Sequence, residues 1–319
     1  MRAPLDLDRE GRNWPHRDKS RFVEAGGTRF HVQTLGPEDA PPLLLLHGTG
    51  ASTHSFRDLA PCLAERYRVI MPDLPGHGFT ATPPWRRVSI TGMSGALLSL
   101  LDALQVSPAY AAGHSAGAAI LLRMALDGQI APRRIVSLNG ALLPFPGIAA
   151  HLFPRLAKLL FLNPVAPHFF AWRARSGGAV AQLMESTGSK IDAAGIAYYK
   201  RLLASPTHVD GALSMMANWD LDSLGRDLPR LAMPLTLIVG TRDRAIPPEV
   251  SERVARMVHN AEVVSLAGLG HLAHEEAPDE VAGTILAALE RDTEPAQPSH
   301  DLAVSVANEA LPENAAFGR

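Results

Sequence analysis

The chain has a single cysteine, Cys62, in 319 residues. That scarcity excludes a disulfide framework and any metal centre built on several thiolates, and it points to a reducing compartment. No uninterrupted run of about 18 apolar residues occurs, so no segment reads as a membrane-spanning helix. The opening stretch, MRAPLDLDREGRNWPHRDKS, is polar and lacks the apolar centre of a secretory signal. Charge is sparse too: 19% of residues are charged, the formal net charge is −2 and there is no dense basic run, which argues against nucleic acid as a partner. No internal repeat is found. These absences predict a cytoplasmic protein, and the length suits one large α/β domain that has room for an inserted cap.

What the chain has is alternation. Residues 29–34, 42–46 and 67–71 read as strands, and 53–66 and 89–104 as helices. Strand and helix alternate as far as Asn139, break over about 141–226 into proline-rich and helical segments, and resume at the apolar run PLTLIVG of 234–240. A β-branched run at 261–266 and a helix over 278–291 close the pattern. The expectation is a mostly parallel central sheet flanked by helices, with a helical cap inserted after the sixth strand. The boundaries drawn are a polar segment 1–20, a core of 21–140 and 227–291, a cap 141–226 and a tail 292–319. The tail is small, polar and expected to be disordered.

Within that pattern, residues 113–117 read GHSAG. A serine centred in Gly-x-Ser-x-Gly forms a sharp strand-to-helix turn that holds a hydroxyl up for attack, and the flanking glycines permit the close approach of strand and helix. The apolar run 109–112 precedes it, and AGAAILLRMALD (116–127) follows as a buried helix stopped by Gly128. A small-residue turn without chemistry could carry the same letters. Ser115 would stand at the carboxyl end of a central strand, where open α/β sheets place their ligands.

A serine hydroxyl needs a base, and the base needs a carboxylate to orient it. Asp243 follows the strand at 234–240, and His271 follows the strand at 261–266 and a glycine-rich turn. In chain order Ser115, Asp243 and His271 then form a candidate catalytic triad. His274 competes for the base but reads as the entry to the last helix. Asp210, Asp220 and Asp222 lie in or near the helical insert, and Asn139, at the end of the strand 134–138, cannot be the ionised partner. A structural turn formed with Arg242 or Arg244 is the other role open to Asp243. The oxyanion of acyl transfer needs N–H donors. Ala116, after the nucleophile, and Thr49, in the HGTG loop of 47–50, are the candidates. His47, His77 and His114 read as structural, with His47 bracing that loop.

Residues 151–172, HLFPRLAKLLFLNPVAPHFFAW, hold four of the ten phenylalanines and three prolines. A broken, greasy element of this kind suits a pocket wall, with Phe153, Leu156, Phe169 and Trp172 as candidate substrate-binding residues. Packing on the core is an equal alternative. Contact with a membrane surface is a third, with Arg155, Lys158, Arg173 and Arg175 as a basic fringe. His151 and His168 lack the spacing evidence for metal or tetrapyrrole ligation. No cofactor or metal is expected.

From about residue 41 to 291 the chain resembles the α/β-hydrolase superfamily, through HGTG at 47–50, DLPGHG at 73–78, GHSAG at 113–117, Asp243 and His271. The resemblance implies an α/β-hydrolase fold. A serine at the elbow points to ester, thioester, amide or C–C cleavage, whereas an aspartate there would have suggested haloalkane dehalogenases or epoxide hydrolases. LLLLHGTGASTHSFRDLAP, GHSAGAAILLRMALDG, NGALLPF and GHLAHEEAP further resemble the magnesium-chelatase accessory family of bacteriochlorophyll synthesis. That likeness implies a role near magnesium insertion into protoporphyrin, chelatase subunits as partners, and an apolar or porphyrin-like ligand.

Overall fold

The computed structural model describes residues 5–82, 88–144, 160, 163–175 and 177–291. Eight strands form one sheet: β1 (Ser20–Ala25), β2 (Thr28–Leu35), β3 (Pro42–Leu46), β4 (Arg68–Pro72), β5 (Tyr110–His114), β6 (Arg134–Leu138), β7 (Leu235–Gly240) and β8 (Ala261–Leu266). Their order is β1-β2-β4-β3-β5-β6-β7-β8. The β1–β2 and β2–β4 pairs are antiparallel and all later pairs are parallel. The strands that lead to GHSAG, Asp243 and His271 therefore end on the same edge of the sheet.

The apolar sequence of β3 shows why the sheet is central. Leu44 and Leu46 enter one core with α2 (Ile90–Leu104) and α3 (Ala116–Leu126), while Leu43 and Leu45 enter the other with α1 (Leu59–Ala64) and α11 (Pro278–Glu290). Side chains alternate across a strand, so a strand covered on both faces must be apolar throughout. In α2 the buried Ile90, Met93, Leu97, Leu100 and Leu101 repeat at helical spacing, and the Ser89 hydroxyl caps the first turn by accepting from the Gly92 N–H at 3.1 Å.

Two segments depart from the sequence expectation. The helix expected over 53–66 is instead a short 3₁₀ turn, Thr53–Phe56, followed by α1. Asp73 captures the Thr53 N–H at 2.8 Å and the whole turn is buried, while Pro61 falls in the first turn of α1, where a missing N–H is tolerated. The polar N-terminal segment also contributes to packing. Trp14 is buried, donates to Thr53 Oγ1 at 3.2 Å and meets Phe79 edge-on.

Between β6 and β7 stand five described helices, α4 (Ala166–Arg175), α5 (Ala179–Ser186), α6 (Ala193–Leu203), α7 (Pro206–Ala217) and α8 (Leu221–Asp227). The short α10 (Ala273–Glu276) follows β8, and α9 (Glu249–Met257) joins β7 to β8. No helix among the described residues is long and apolar enough to cross a membrane. The tail 292–319 lies outside the described residues, as do Phe153 and Leu156.

Candidate active site

Ser115 links β5 directly to α3 with φ 51° and ψ −115°, a conformation that side chains other than glycine rarely adopt. Holding it there costs about 1–3 kcal/mol, which surrounding contacts must offset. They include the Ser115 N–H donating to Leu138 O at 2.9 Å and the Ala141 N–H donating to Ser115 O at 3.1 Å. The glycines have steric causes. A Cβ on Gly113 would lie 2.6 Å from the Ala118 nitrogen, and one on Gly117 would collide with the Leu46 carbonyl oxygen of β3. Gly117→Ala is therefore expected to destabilise by about 1–3 kcal/mol, read as a lower urea midpoint. An unchanged midpoint would show that the helix can shift freely.

Asp243 leaves β7 and is buried. Its Oδ2 accepts from His271 Nδ1–H at 2.8 Å and from the Asn139 amide at 2.8 Å, and its Oδ1 accepts from the Ala245 and Ile246 N–H groups at 2.8 Å each. The proton on His271 Nδ1 leaves Nε2 as the acceptor. Ser115 and His271 line one cavity of about 270 Å³, whose wall also carries Thr49 and Ala116. Among the described residues none is hydrogen-bonded to the Ser115 hydroxyl. In unliganded sites such contacts are often long and tighten when substrate binds.

The HGTG loop is clamped from two sides. His47 donates from Nδ1 to Gly48 O at 2.8 Å and accepts the Leu74 N–H on Nε2 at 2.9 Å. His208 of α7 donates from Nε2 to Gly50 O and accepts the Gly78 N–H on Nδ1, both at 3.0 Å. Each ring is thus fixed as one neutral tautomer. His114 donates from Nε2 to the carbonyl of His271 at 2.9 Å, and His274 bonds Ser55 at 2.8 Å.

Burial disfavours charge on these rings: it lowers His47, His77 and His114, brings His208 to about 4 and His274 to about 3. In the unfolded chain a histidine titrates near 6.5, so the unfolded state binds more protons below that pH and the folded state loses stability as pH falls. From the values for His208 and His274, each withdraws about 2 kcal/mol of stability by pH 5 relative to pH 8. Urea midpoints should therefore fall steadily between pH 7 and pH 5. A flat profile over that range contradicts the neutral assignment.

A second buried cluster stands behind His271. Glu275 accepts from Ser55 at 2.6 Å, Tyr199 of α6 at 2.7 Å and Arg57 at 3.0 Å. Burial raises the Glu275 carboxyl above its usual range against the opposing pull of those donors. This ties α10 to the helical insertion. The turn 187–189 does the same closer in. Ser189 Oγ accepts the Leu272 N–H at 2.8 Å and Thr187 O accepts the Arg244 N–H at 3.0 Å, so the insertion holds the loops of both His271 and Asp243.

The structure thus gathers Ser115, Asp243, His271, Thr49 and Ala116 at one edge of the sheet. Of the apolar candidates only Phe169 and Trp172 are among the described residues, and neither is brought there. Phe169 and Trp172 lie on α4 with 54% and 62% of their surface exposed, and they are not among the residues lining the Ser115 cavity. Met216 of α7 and Trp219, Asp220, Leu221 and Asp222 line it instead. Sequence reasoning passed over Met216, Trp219 and Leu221, weighed Asp220 and Asp222 only as rival carboxylates, and missed the donor role of Asn139 and His208 and the acceptor role of Ser189. Only Asn139 carried a usable signal, its place at the carboxyl end of β6. Among the described residues no group of three or more His, Cys, Asp or Glu could hold a metal ion.

Comparison with known proteins gives a consistent picture. Residues 41–278 match the model of the alpha/beta hydrolase fold family. The chain is 46% identical over 282 residues to the magnesium-chelatase 30 kDa subunit of Rhodobacter capsulatus, covering 87% of this chain and 97% of that protein. It is 26% identical over 263 residues to a 2-hydroxy-6-oxo-2,4-heptadienoate hydrolase of Pseudomonas putida, covering 79% and 89%. Among solved structures, an alpha/beta hydrolase fold protein from Burkholderia ambifaria superimposes with a TM-score of 0.70 at 24% identity, covering 90% of this chain and all of that one, a likeness of fold alone.

Proposed function

Because the chain belongs to the alpha/beta hydrolase fold family, we propose that it is a serine hydrolase that serves as an accessory factor of magnesium chelatase in bacteriochlorophyll synthesis. One observation carries the chemistry: His271, held by the buried Asp243 through a hydrogen bond of 2.8 Å, lines the same cavity as the strained Ser115. In the proposed reaction His271 Nε2 takes the Ser115 proton as Oγ adds to the substrate carbonyl. The Thr49 and Ala116 N–H groups hold the oxyanion. His271 then gives the proton to the leaving alcohol, thiol or amine, and water, deprotonated by the same ring, releases the acid. No resident cofactor is needed for these steps.

The accessory role is supported by the relative of 46% identity, which is named as a magnesium-chelatase subunit. The test is complementation of a strain lacking this protein with wild type and Ser115→Ala, with pigment intermediates read by absorbance. Rescue by wild type alone supports the hydrolase reading. Equal rescue by Ser115→Ala favours a second one, a non-catalytic porphyrin-binding or chelatase-docking module. That reading is supported by the exposed Phe169, Phe170 and Trp172 of α4 beside Arg173 and Arg175, a surface suited to a chelatase subunit or a peripheral membrane contact in the cytoplasm. A general carboxylesterase or C–C hydrolase would turn over esters without any effect on pigment.

A further inference from the structure

The helical insertion holds a second cavity, of about 570 Å³, beside the catalytic one. Its wall is apolar except for Arg173 and Gln182. Helix α7 supplies Val209, Ala212, Leu213 and Met216, four positions that share one helical face. Met216 is common to both cavities: it lines this one and also the cavity that contains Ser115 and His271.

We propose that the two cavities are a single binding tract divided by Met216, and that the substrate is a neutral ester or thioester with an elongated apolar acyl group reaching from Ser115 past Met216 into the insertion. The inference rests on the hydrolase reading above and names the substrate class for it. Size supports it, since the catalytic cavity of about 270 Å³ falls just below the usual range for small-molecule sites of roughly 300–1,000 Å³ and the second, of about 570 Å³, falls well within it. Charge supports it as well. Asp220 and Asp222 stand at the catalytic end and disfavour an anionic substrate there, while the stripe on α7 offers only apolar contacts. The divider itself is suitable, because an unbranched methionine with three rotatable bonds can swing aside where a β-branched residue would be fixed.

The experiment compares kcat/KM for p-nitrophenyl acetate and p-nitrophenyl dodecanoate in wild type, Ala212→Trp and Ala179→Trp, two variants that fill the second cavity from different helices, α7 and α5. Circular dichroism and melting confirm that each is folded. Wild type should favour dodecanoate by about tenfold or more, since each buried methylene adds affinity. Either folded variant should lower the dodecanoate-to-acetate ratio by at least about tenfold, chiefly through KM. Met216→Ala should raise that ratio. If acetate is hydrolysed but dodecanoate is not preferred, or if the ratio is unmoved by both tryptophans, the tract is refuted while the hydrolase reading stands. If neither ester is turned over by wild type, the hydrolase reading falls and takes the tract with it.

Discussion

Ser115→Ala protein should hydrolyse a short nitrophenyl ester at least about 10,000-fold more slowly than wild type, while melting close to it. The rate falls because alanine has no oxygen to form the acyl-enzyme, so only binding and the proposed oxyanion donors, Thr49 and Ala116, remain to act on water. Those remnants leave a measurable residue above the uncatalysed rate. Stability changes little because the Ser115 hydroxyl has no hydrogen-bonding partner among the described residues, and the backbone contacts that fix φ at 51° come from main-chain atoms of Leu138 and Ala141. Steady-state kinetics with a thermal melt on the same sample check both halves. A variant retaining a tenth of wild-type turnover would mean that another group attacks the ester.

Asp243→Asn is expected to be nearly as damaging, with kcat lower by about 10,000-fold. Four donors converge on the Asp243 carboxylate: His271 Nδ1, the Asn139 amide, and the Ala245 and Ile246 N–H groups. An asparagine has one acceptor oxygen and an NH₂ that can only donate. With that oxygen turned to the two backbone donors, the NH₂ confronts both Asn139 and His271. The imidazole is then driven to carry its proton on Nε2, where it cannot accept from Ser115. A buried clash of donors also costs about 1–3 kcal/mol of stability. Asn139→Ala should cost far less activity, because it removes one of the four donors and leaves the Asp243–His271 bond in place. Equal kcat values for Asp243→Asn and wild type would remove Asp243 from the mechanism.

The legible parts of this molecule were those governed by local periodicity. PLLLL is buried on both faces and could be little else than a central strand, and the steric demand on Gly113 and Gly117 is written into the GHSAG spacing itself. Strand ends at 240 and 266 told where Asp243 and His271 would emerge. What stayed hidden depends on contacts between distant segments. Nothing near His208 or Ser189 announces that one holds Gly50 and the other holds Leu272, since each partner is brought by the packing of the insertion on the sheet. Composition was a partial guide. The aromatic density of 151–172 suggested a pocket wall, and Leu160 and Phe170 do line the second cavity, yet the named candidates Phe169 and Trp172 are exposed, while the less conspicuous face of α7, ending in Met216, borders both cavities. Trp14 was lost in a polar segment because a single buried aromatic sets no period.

The account turns on whether Ser115 is a working nucleophile, and the most direct measurement is peptide mapping by mass spectrometry after brief exposure to a fluorophosphonate. The expected result is one adduct per chain, on Ser115, strongly slowed in His271→Ala and Asp243→Asn proteins that remain folded. No adduct on folded wild type, or labelling of Ser115 at the same rate when His271 is removed, would contradict it.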